Sequence, residues 1–273
     1  MAELINKGVY LNGSLKVDGV TFYTRKGKTI MRSAFSEQPN RRTRKQFVAR
    51  QRMTHTTSLW KRLRETGEPL FVGGTSSYGR FCTLMRKLPV VFLQKRDYPR
   101  GGSLLLPGMP VSDGPLPDIE YGLGEVEGTP ALLTSLRLAP GGSLTGRGAD
   151  LSRGEQLWLY RLRQTVQQVG EAHTPVVRVR LEVLDTSASG MESPFESIAL
   201  REVDGQMALT GEVFGDETMG WALVRVNEGQ ASSQKVVTRC TLYGQYLTEE
   251  ALQRAARSYG GLTEDKAGSL IVA

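Results

Sequence analysis

The densest group of side chains able to do chemistry in this chain is cationic. Residues 40–66 read NRRTRKQFVARQRMTHTTSLWKRLRET, and nine Lys/Arg but no carboxylate lie between Glu37 and Glu65. Positive charge at this density neutralises phosphates or carboxylates, which gives an affinity that is independent of sequence and falls with salt. The residues predicted to contact a polyanion or an acidic partner are Arg41, Arg42, Arg44, Lys45, Arg50, Lys61, Arg62 and Arg64.

Acid–base or nucleophilic chemistry has little support in the sequence. The chain has two histidines, His55 and His173, and its two cysteines, which are far apart, give no metal spacing and no disulfide framework. Neither a nucleophile elbow, a P-loop, a zinc-protease motif nor a paired C-x-x-C occurs. The GLGEVEG segment at 122–128 has a displaced third glycine, and no helix is predicted after it. We therefore predict a protein that is not an enzyme and has no cofactor and no metal.

The charge is unevenly distributed along the 273 residues. The first 100 residues contain 21 Lys/Arg and 6 Asp/Glu, and the rest contain 14 and 22, so a net charge of +15 is followed by one of −8. Such asymmetry favours a polyanionic or acidic partner for the basic part. Attraction between the two parts, within one chain or between neighbouring copies, explains it equally well.

One amphipathic helix is predicted to position the basic side chains, with Asn40 as its N-cap and Gly67 as its stop signal. On a helical wheel its apolar band, about 140° wide, contains Val48, Met53, Thr56, Leu59, Trp60 and Leu63. The cations flank this band, with Arg50, Lys61 and Arg64 on one side and Arg44 and Arg62 on the other.

Arg52 falls inside the apolar band, on the ridge that Val48 and Thr56 share. A guanidinium in such a place must be paired or must reach water along its aliphatic stem. We predict that Arg52 meets a carboxylate or backbone carbonyls and serves assembly rather than ligand binding. For the flanking cations the sequence leaves three interpretations open, namely contact with phosphates, contact with a protein, and a plain solvated face.

The helix belongs to a predicted basic N-terminal module, residues 1–97. Short β-branched and aromatic runs with glycine turns predict a β-hairpin or three-strand meander at 8–35. A second helix is predicted at 75–88, ended by Pro89, and a strand, VVFLQ, at 90–94. Residues 98–118 are dense in proline and glycine, which predicts a linker and a domain boundary.

Beyond that linker, residues 119–247 are predicted to form a β-sandwich domain. Apolar and polar residues alternate with period two at 131–138, 176–184, 220–226 and 234–243. Such alternation predicts half-buried antiparallel strands, here in an immunoglobulin or fibronectin-like arrangement. Residues 152–169 fit a helix or a strand, and the sandwich favours the strand. With a helix and tail at 248–273, the predicted fold class is α+β, mostly β.

The N-terminal third resembles a family of uncharacterised Bacteroidota and phage-associated proteins. The resemblance rests on KGVYLNGSLKVDGVTFYTRKGKTIMRS, followed by a helix start of the form N-x-x-T-x-x-Q-x-x-x-R at Asn40, Thr43, Gln46 and Arg50. Arg41 replaces the usual proline, and GWALVRVNEGQASSQKVVT is similar to the family's closing hairpin. The resemblance implies a structural protein of a phage or mobile element and carries over no catalytic residues.

Taken together, these patterns predict a non-enzymatic structural or assembly protein, such as a virion component of a phage or mobile element. Its basic module would contact an acidic partner or packaged nucleic acid through residues 41–64, and its sandwich would contact proteins, including copies of itself. The alternative is a nucleic-acid-binding protein without sequence preference. No signal peptide or membrane segment is evident, so synthesis in the cytoplasm is expected, with neither a membrane nor a small-molecule substrate as partner.

Overall fold

The computed structural model of the chain describes residues 14–17, 20–25, 28–33, 42–67, 70–72, 76–138, 144–146, 149–150, 156–185 and 198–262. It divides the chain into two compact units, Met1–Arg42 and Thr43–Ala273. The first unit contains an antiparallel sheet of β1 (Ser14–Val17), β2 (Val20–Arg25) and β3 (Lys28–Ser33), in the order β1-β2-β3. This confirms the meander predicted from the glycine turns.

The second unit contains the helices α1 (Arg44–Arg64), α2 (Ser77–Met85) and α3 (Glu249–Ser258), and three short 3₁₀ turns at Tyr98–Arg100, Glu212–Gly215 and Leu242–Tyr246. Its strands are β4 (Pro110–Ser112), β5 (Tyr121–Val126), β6 (Thr129–Thr134), β7 (Arg137–Leu138), β8 (Leu144–Gly146), β9 (Ala149–Asp150), β10 (Gln156–Val169), β11 (Ala172–Asp185), β12 (Ala199–Val203), β13 (Gln206–Thr210), β14 (Met219–Asn227), β15 (Gln230–Ala231), β16 (Gln234–Lys235) and β17 (Val237–Thr238).

The central sheet is built on a long antiparallel hairpin of β10 and β11. Its order is β11-β10-β14-β15, and β17 pairs with the other end of β14. A second antiparallel sheet has the order β12-β13-β6-β5, while β4 pairs with β16, and β7, β8 and β9 form a small separate sheet. Residues 152–169 are thus strand rather than helix from Gln156 onward.

Alternation along the strands gives the central sheet two apolar faces. Tyr160 and Val224 lie on one face, in a cluster with residues of α1 and α2. Leu159 and Trp221 lie on the other face, in a cluster with residues of β6 and β13 from the second sheet. The sheet is therefore covered by helices on one side and by a second sheet on the other. The fold is α+β and mostly β, as predicted, whereas an immunoglobulin or fibronectin arrangement is not confirmed.

Residues 98–118 do not behave as the predicted linker. Leu104, Leu105, Leu106 and Met109 have no exposed surface at all. The apolar run between the prolines and glycines packs into the core, while the prolines only interrupt regular structure. The two compact units meet at Arg42, and the predicted domain boundaries at 97 and 118 stay predictions.

Two further local predictions need correction. Val91 and Leu93 are buried, but residues 90–94 form no strand, because Phe92 donates its amide to Tyr246 O of a 3₁₀ turn rather than to a neighbouring strand. Residues 234–243 break into β16, β17 and a 3₁₀ turn instead of one strand. The C-terminal helix is confirmed: α3 starts after the N-cap Thr248, whose side chain accepts from the amide of Ala251.

Candidate interaction surfaces

Helix α1 begins three residues later than expected. Its N-cap is Thr43, whose hydroxyl accepts the amide hydrogen of Gln46 at 3.4 Å. The predicted cap, Asn40, and the predicted contact residue Arg41 lie outside the described residues. Arg42 precedes the helix and is exposed.

The buried face of α1 is turned by roughly 80° from the predicted band on a helical wheel. Met53, expected in the core, is 51% exposed, whereas Gln51 and His55 are buried. The amide side chain of Gln51 accepts hydrogen bonds from Leu93 N and from the hydroxyl of Tyr98. Polar residues can lie inside when their hydrogen bonds are satisfied, and an apolar band cannot reveal such partners.

Two of the predicted binding residues are held by carboxylates of the same chain. Arg44 donates from Nη1 and Nη2 to both carboxylate oxygens of Glu249, at 2.8 and 2.6 Å. This bidentate hydrogen bond keeps the pKa of Glu249 below its usual range and joins the first turns of α1 and α3. Arg62 donates to Glu65 at 2.7 Å. The structure therefore gives both arginines an internal role.

The remaining predicted cations of α1 are exposed. Lys45, Arg50, Lys61 and Arg64 have largely solvent-accessible side chains, with Met53 among them. We call these five residues the α1 outer face. The helix contains no acidic residue over its 21 positions, a length of about 30 Å. Positive charge therefore runs along the whole exposed side of α1 without a carboxylate in the helix itself.

Arg52 lies at the boundary between the buried and exposed sides of α1. Its side chain is partly buried, and its Nε atom is buried without a hydrogen-bond partner. The carboxylate or carbonyl partner predicted for Arg52 stays a prediction.

The histidines and cysteines do not form a reactive constellation in the described part of the chain. The Nε2 atom of His55 lies 3.0 Å from Leu104 N and 3.2 Å from Leu104 O, and burial lowers the pKa of this histidine to about 4. It is a neutral side chain that holds the backbone of Leu104. Cys240 is buried, and Cys82 is partly buried within α2. No group of three potential metal ligands occurs among the described residues.

One polar cleft of about 200 Å³ lies near His173, and its lining includes Arg96, Asp97, Tyr246 and Arg254. The carboxylate of Asp97 is buried and accepts hydrogen bonds from Gln94 N at 2.9 Å and from the Thr174 hydroxyl at 3.2 Å. The first bond closes the turn of residues 94–97, and the second holds this turn against β11. Asp97 therefore has a structural role.

A second basic surface lies on the β10–β11 hairpin, where sequence reasoning did not expect one. The hairpin register places Arg161 opposite Arg180 and Arg163 opposite Arg178, so four arginines share one face of two neighbouring strands. We call these four residues the arginine face. Like charges directly opposite each other destabilise a sheet unless counter-charges offset them.

Among the described residues, the carboxylate that offsets positive charge within the arginine face is that of Glu182. Its Oε1 atom accepts from Arg161 Nη1 at 2.9 Å and lies 3.3 Å from Arg180 Nε. Only 4% of the Glu182 side chain is exposed, against 76% for Arg180. Glu182 Oε2 and Arg161 Nε are buried and have no hydrogen-bond partner. One carboxylate thus serves two arginines, while Arg163 and Arg178 are exposed beside them.

A signal for this surface was present in the sequence. The alternation in each segment already placed the arginines on one face of its own strand. Reading Gly170-Glu171 as a two-residue hairpin loop pairs Val169 with Ala172, and this register brings the arginines together.

Comparisons with protein-family models, with curated proteins and with solved structures find no match to this chain. Among the helices that the structure describes, none is both long enough and apolar enough to cross a membrane.

Proposed function

We propose that this chain is a non-enzymatic structural or assembly protein that binds an acidic partner through the α1 outer face. The observation that carries the proposal is the geometry of α1. Its inner face is buried in the core, and its outer face presents Lys45, Arg50, Lys61 and Arg64 along the helix. A rigid element with exposed like charges suits electrostatic recognition, since the charges are fixed in place before the partner arrives.

The contacts that fix α1 to the rest of its unit support a structural role for the helix rather than a catalytic one. The Arg44–Glu249 contact and the buried residues Leu59 and Leu63 fix the helix at both ends to the rest of the unit. The histidine within the helix is neutral and buried. The resemblance of the N-terminal third to phage-associated proteins supports placing this role in a phage or mobile-element particle.

The test compares two variants of the full chain that carry the same charge change. In the first, Lys45, Arg50, Lys61 and Arg64 are all replaced by Gln. In the matched control, four exposed cations elsewhere, Arg86, Lys87, Lys95 and Lys235, are replaced by Gln. Binding of each protein to poly-glutamate is measured by titration at several salt concentrations.

We expect wild-type binding that weakens steeply with salt, a loss of about tenfold or more in the first variant and a much smaller loss in the control. Equal losses in the two variants would mean that only net charge matters, and the α1 proposal would fail. Duplex DNA of random sequence serves as a second probe. Clearly tighter binding to DNA than to poly-glutamate would favour the alternative of a nucleic-acid-binding protein.

The assembly role has its own readout. Purified protein treated with nuclease should form oligomers or particles of defined size with its partner or with itself. A strictly monomeric protein at high concentration, with no acidic partner bound, would contradict the proposal.

A further inference from the structure

Strand β11 has one open edge. In the part of the chain that the structure describes, β11 pairs with β10 along its length and with no strand on its other side. Ser103 covers the beginning of that edge: its amide donates to Pro175 O at 2.9 Å, and Val177 N donates to Ser103 Oγ at 2.9 Å. The odd-numbered residues of β11 therefore direct their backbone groups outward.

Beyond Val177 these outward groups meet no strand or loop in the described residues. They belong to Val179, Leu181 and Val183, and none of them takes part in a backbone hydrogen bond on the open side. An exposed row of amides and carbonyls is a template for another strand, and proteins commonly block it with charged side chains, proline or a bulge. Residues 178–184 contain no proline and no bulge, and their charges, on Arg178, Arg180 and Glu182, are of both signs.

The side chains along this edge also suit a second strand. On the face that α1 packs against, Val179 and Leu181 are partly exposed, and Val183 is 41% exposed. On the opposite face, the exposed Arg180 precedes Glu182 by two residues, and Glu182 Oε2 lacks a hydrogen-bond partner. The edge thus offers apolar surface on one face, and on the other an exposed cation beside the carboxylate of Glu182.

We propose that a second copy of this chain pairs with β11 in an antiparallel, two-fold arrangement centred on Leu181. In this register Arg180 of each copy lies opposite Glu182 of the other, and Val179 lies opposite Val183. The outward backbone groups form about six hydrogen bonds. The contact is isologous, because the same seven-residue segment supplies both sides of it.

Electrostatic interactions favour this pairing register over the registers centred on adjacent residues. Pairing centred on Arg180 places Arg180 opposite its own copy, and pairing centred on Glu182 places two carboxylates opposite each other. Both arrangements are repulsive. Centring on Val179 requires Val177, whose amide Ser103 already occupies. Of these registers, only the one centred on Leu181 brings opposite charges together at both symmetric positions.

The proposal does not depend on the α1 outer face, and its test leaves α1 unchanged. The mass of the full chain is measured by light scattering and analytical ultracentrifugation over a wide concentration range. Val183→Pro removes an outward amide of the edge but no hydrogen bond to β10. Val183→Thr is the matched control, since it keeps both the amide and β-branching. We expect a wild-type and Val183→Thr dimer, and a dissociation constant raised at least about tenfold by Val183→Pro.

A charge-reversal experiment tests the proposed pairing register directly. Arg180→Glu should raise the dissociation constant about tenfold or more, whereas Arg239→Glu, at an exposed site away from β11, should leave it unchanged. Mixing Arg180→Glu with Glu182→Arg restores both opposite-charge pairs in the mixed dimer. The mixture should therefore dimerise where neither variant does alone.

Three results would overturn the proposal: a monomeric wild type at every concentration, a dimer that Val183→Pro and Arg180→Glu leave intact, or amides of Val179, Leu181 and Val183 whose hydrogen exchange does not slow on dimerisation. Circular dichroism confirms that each variant is folded. Should Val183→Pro or Glu182→Arg fail to fold, Arg180→Glu and the amide exchange of the wild type still decide the outcome.

Discussion

Arg161 of β10 lies directly opposite Arg180 of β11, and the two guanidinium groups share one carboxylate oxygen of Glu182. Because this carboxylate is buried and the described part of the chain supplies no other one to the two arginines, both depend on a single residue for their counter-charge.

Replacing Glu182 by Gln should therefore destabilise the protein. The change leaves Arg161, whose side chain is only 17% exposed, beside Arg180 without an anion. We expect the free energy of unfolding to fall by about 3–5 kcal/mol, the range for removing one partner of a buried pair. Urea denaturation followed by circular dichroism measures it. The matched control is Glu127→Gln, whose exposed pair with Arg201 should contribute less than about 1 kcal/mol.

The pH dependence of stability should show the effect of the lowered pKa of His55. Burial lowers its pKa to about 4 in the folded chain, against 6.5 in the unfolded chain. Below pH 6.5 the unfolded state binds a proton that the folded state does not, so stability is lost as pH falls from 6.5 to about 4. The linked loss is about 3 kcal/mol. The melting temperature of His55→Gln should change much less with pH in this window, and an unchanged slope would contradict the assignment.

The Arg44–Glu249 contact should contribute little to stability in spite of its bidentate geometry. Both side chains are about half exposed, so water and salt screen the attraction. A double-mutant cycle with Arg44→Gln and Glu249→Gln should give only a small coupling free energy at low salt. The coupling should decrease further at high salt. A large coupling that does not change with salt would mean that the pair is not screened.

Two glycines in strands should respond to alanine in opposite ways. A Cβ at Gly220 would lie 2.8 Å from Val236 Cγ1 and 3.1 Å from Leu105 Cδ2, whereas a Cβ at Gly122 would meet nothing within 4 Å. Gly220→Ala should cost about 1–3 kcal/mol by overpacking the core. Gly122→Ala should be neutral or stabilising by about 0.5 kcal/mol, because alanine restricts the unfolded chain. Thermal unfolding of the two variants checks both signs.

The apolar run within residues 98–118 should behave as core. Leu105 is fully buried, so Leu105→Ala should lower the free energy of unfolding by about 2–5 kcal/mol. Leu133→Ala, at a leucine that is 39% exposed, is the matched control and should cost clearly less. Equal and small effects would restore the linker interpretation of this segment.

Much of the fold was predictable because period-two alternation is a local property. It identified β10, β11 and β14 and assigned Arg178, Arg180 and Glu182 to one face of β11. Helix signals were equally local: Thr248 opens α3 as expected. The register between β10 and β11 is set by the hairpin loop. Predicting the arginine face therefore requires the pairing of the two strands as well as the alternation within each of them.

The remaining differences arise from long-range partners. Met53 looked like a core residue because it is apolar, while Gln51 and His55 looked like surface residues because they are polar. The backbone groups that bind them, at Leu93 and Leu104, come from a segment about 40 to 50 residues away. No pattern within the helix contains that information. For the same reason the proline- and glycine-rich segment looked like a linker, although the sheet that covers it lies much later in the chain.

The pairing of β4 with β16 has a consequence for how the protein is made. A hydrogen bond from Ser112 Oγ to Ser232 O spans 120 residues, and Leu105 packs in one cluster with Val224 and Val236. During translation the apolar surface of residues 104–111 stays uncovered until β14 and β16 have left the ribosome. Such delayed contacts slow folding and prolong exposure to aggregation. The nascent chain is therefore expected to depend on a chaperone that holds its first half while the second is synthesised.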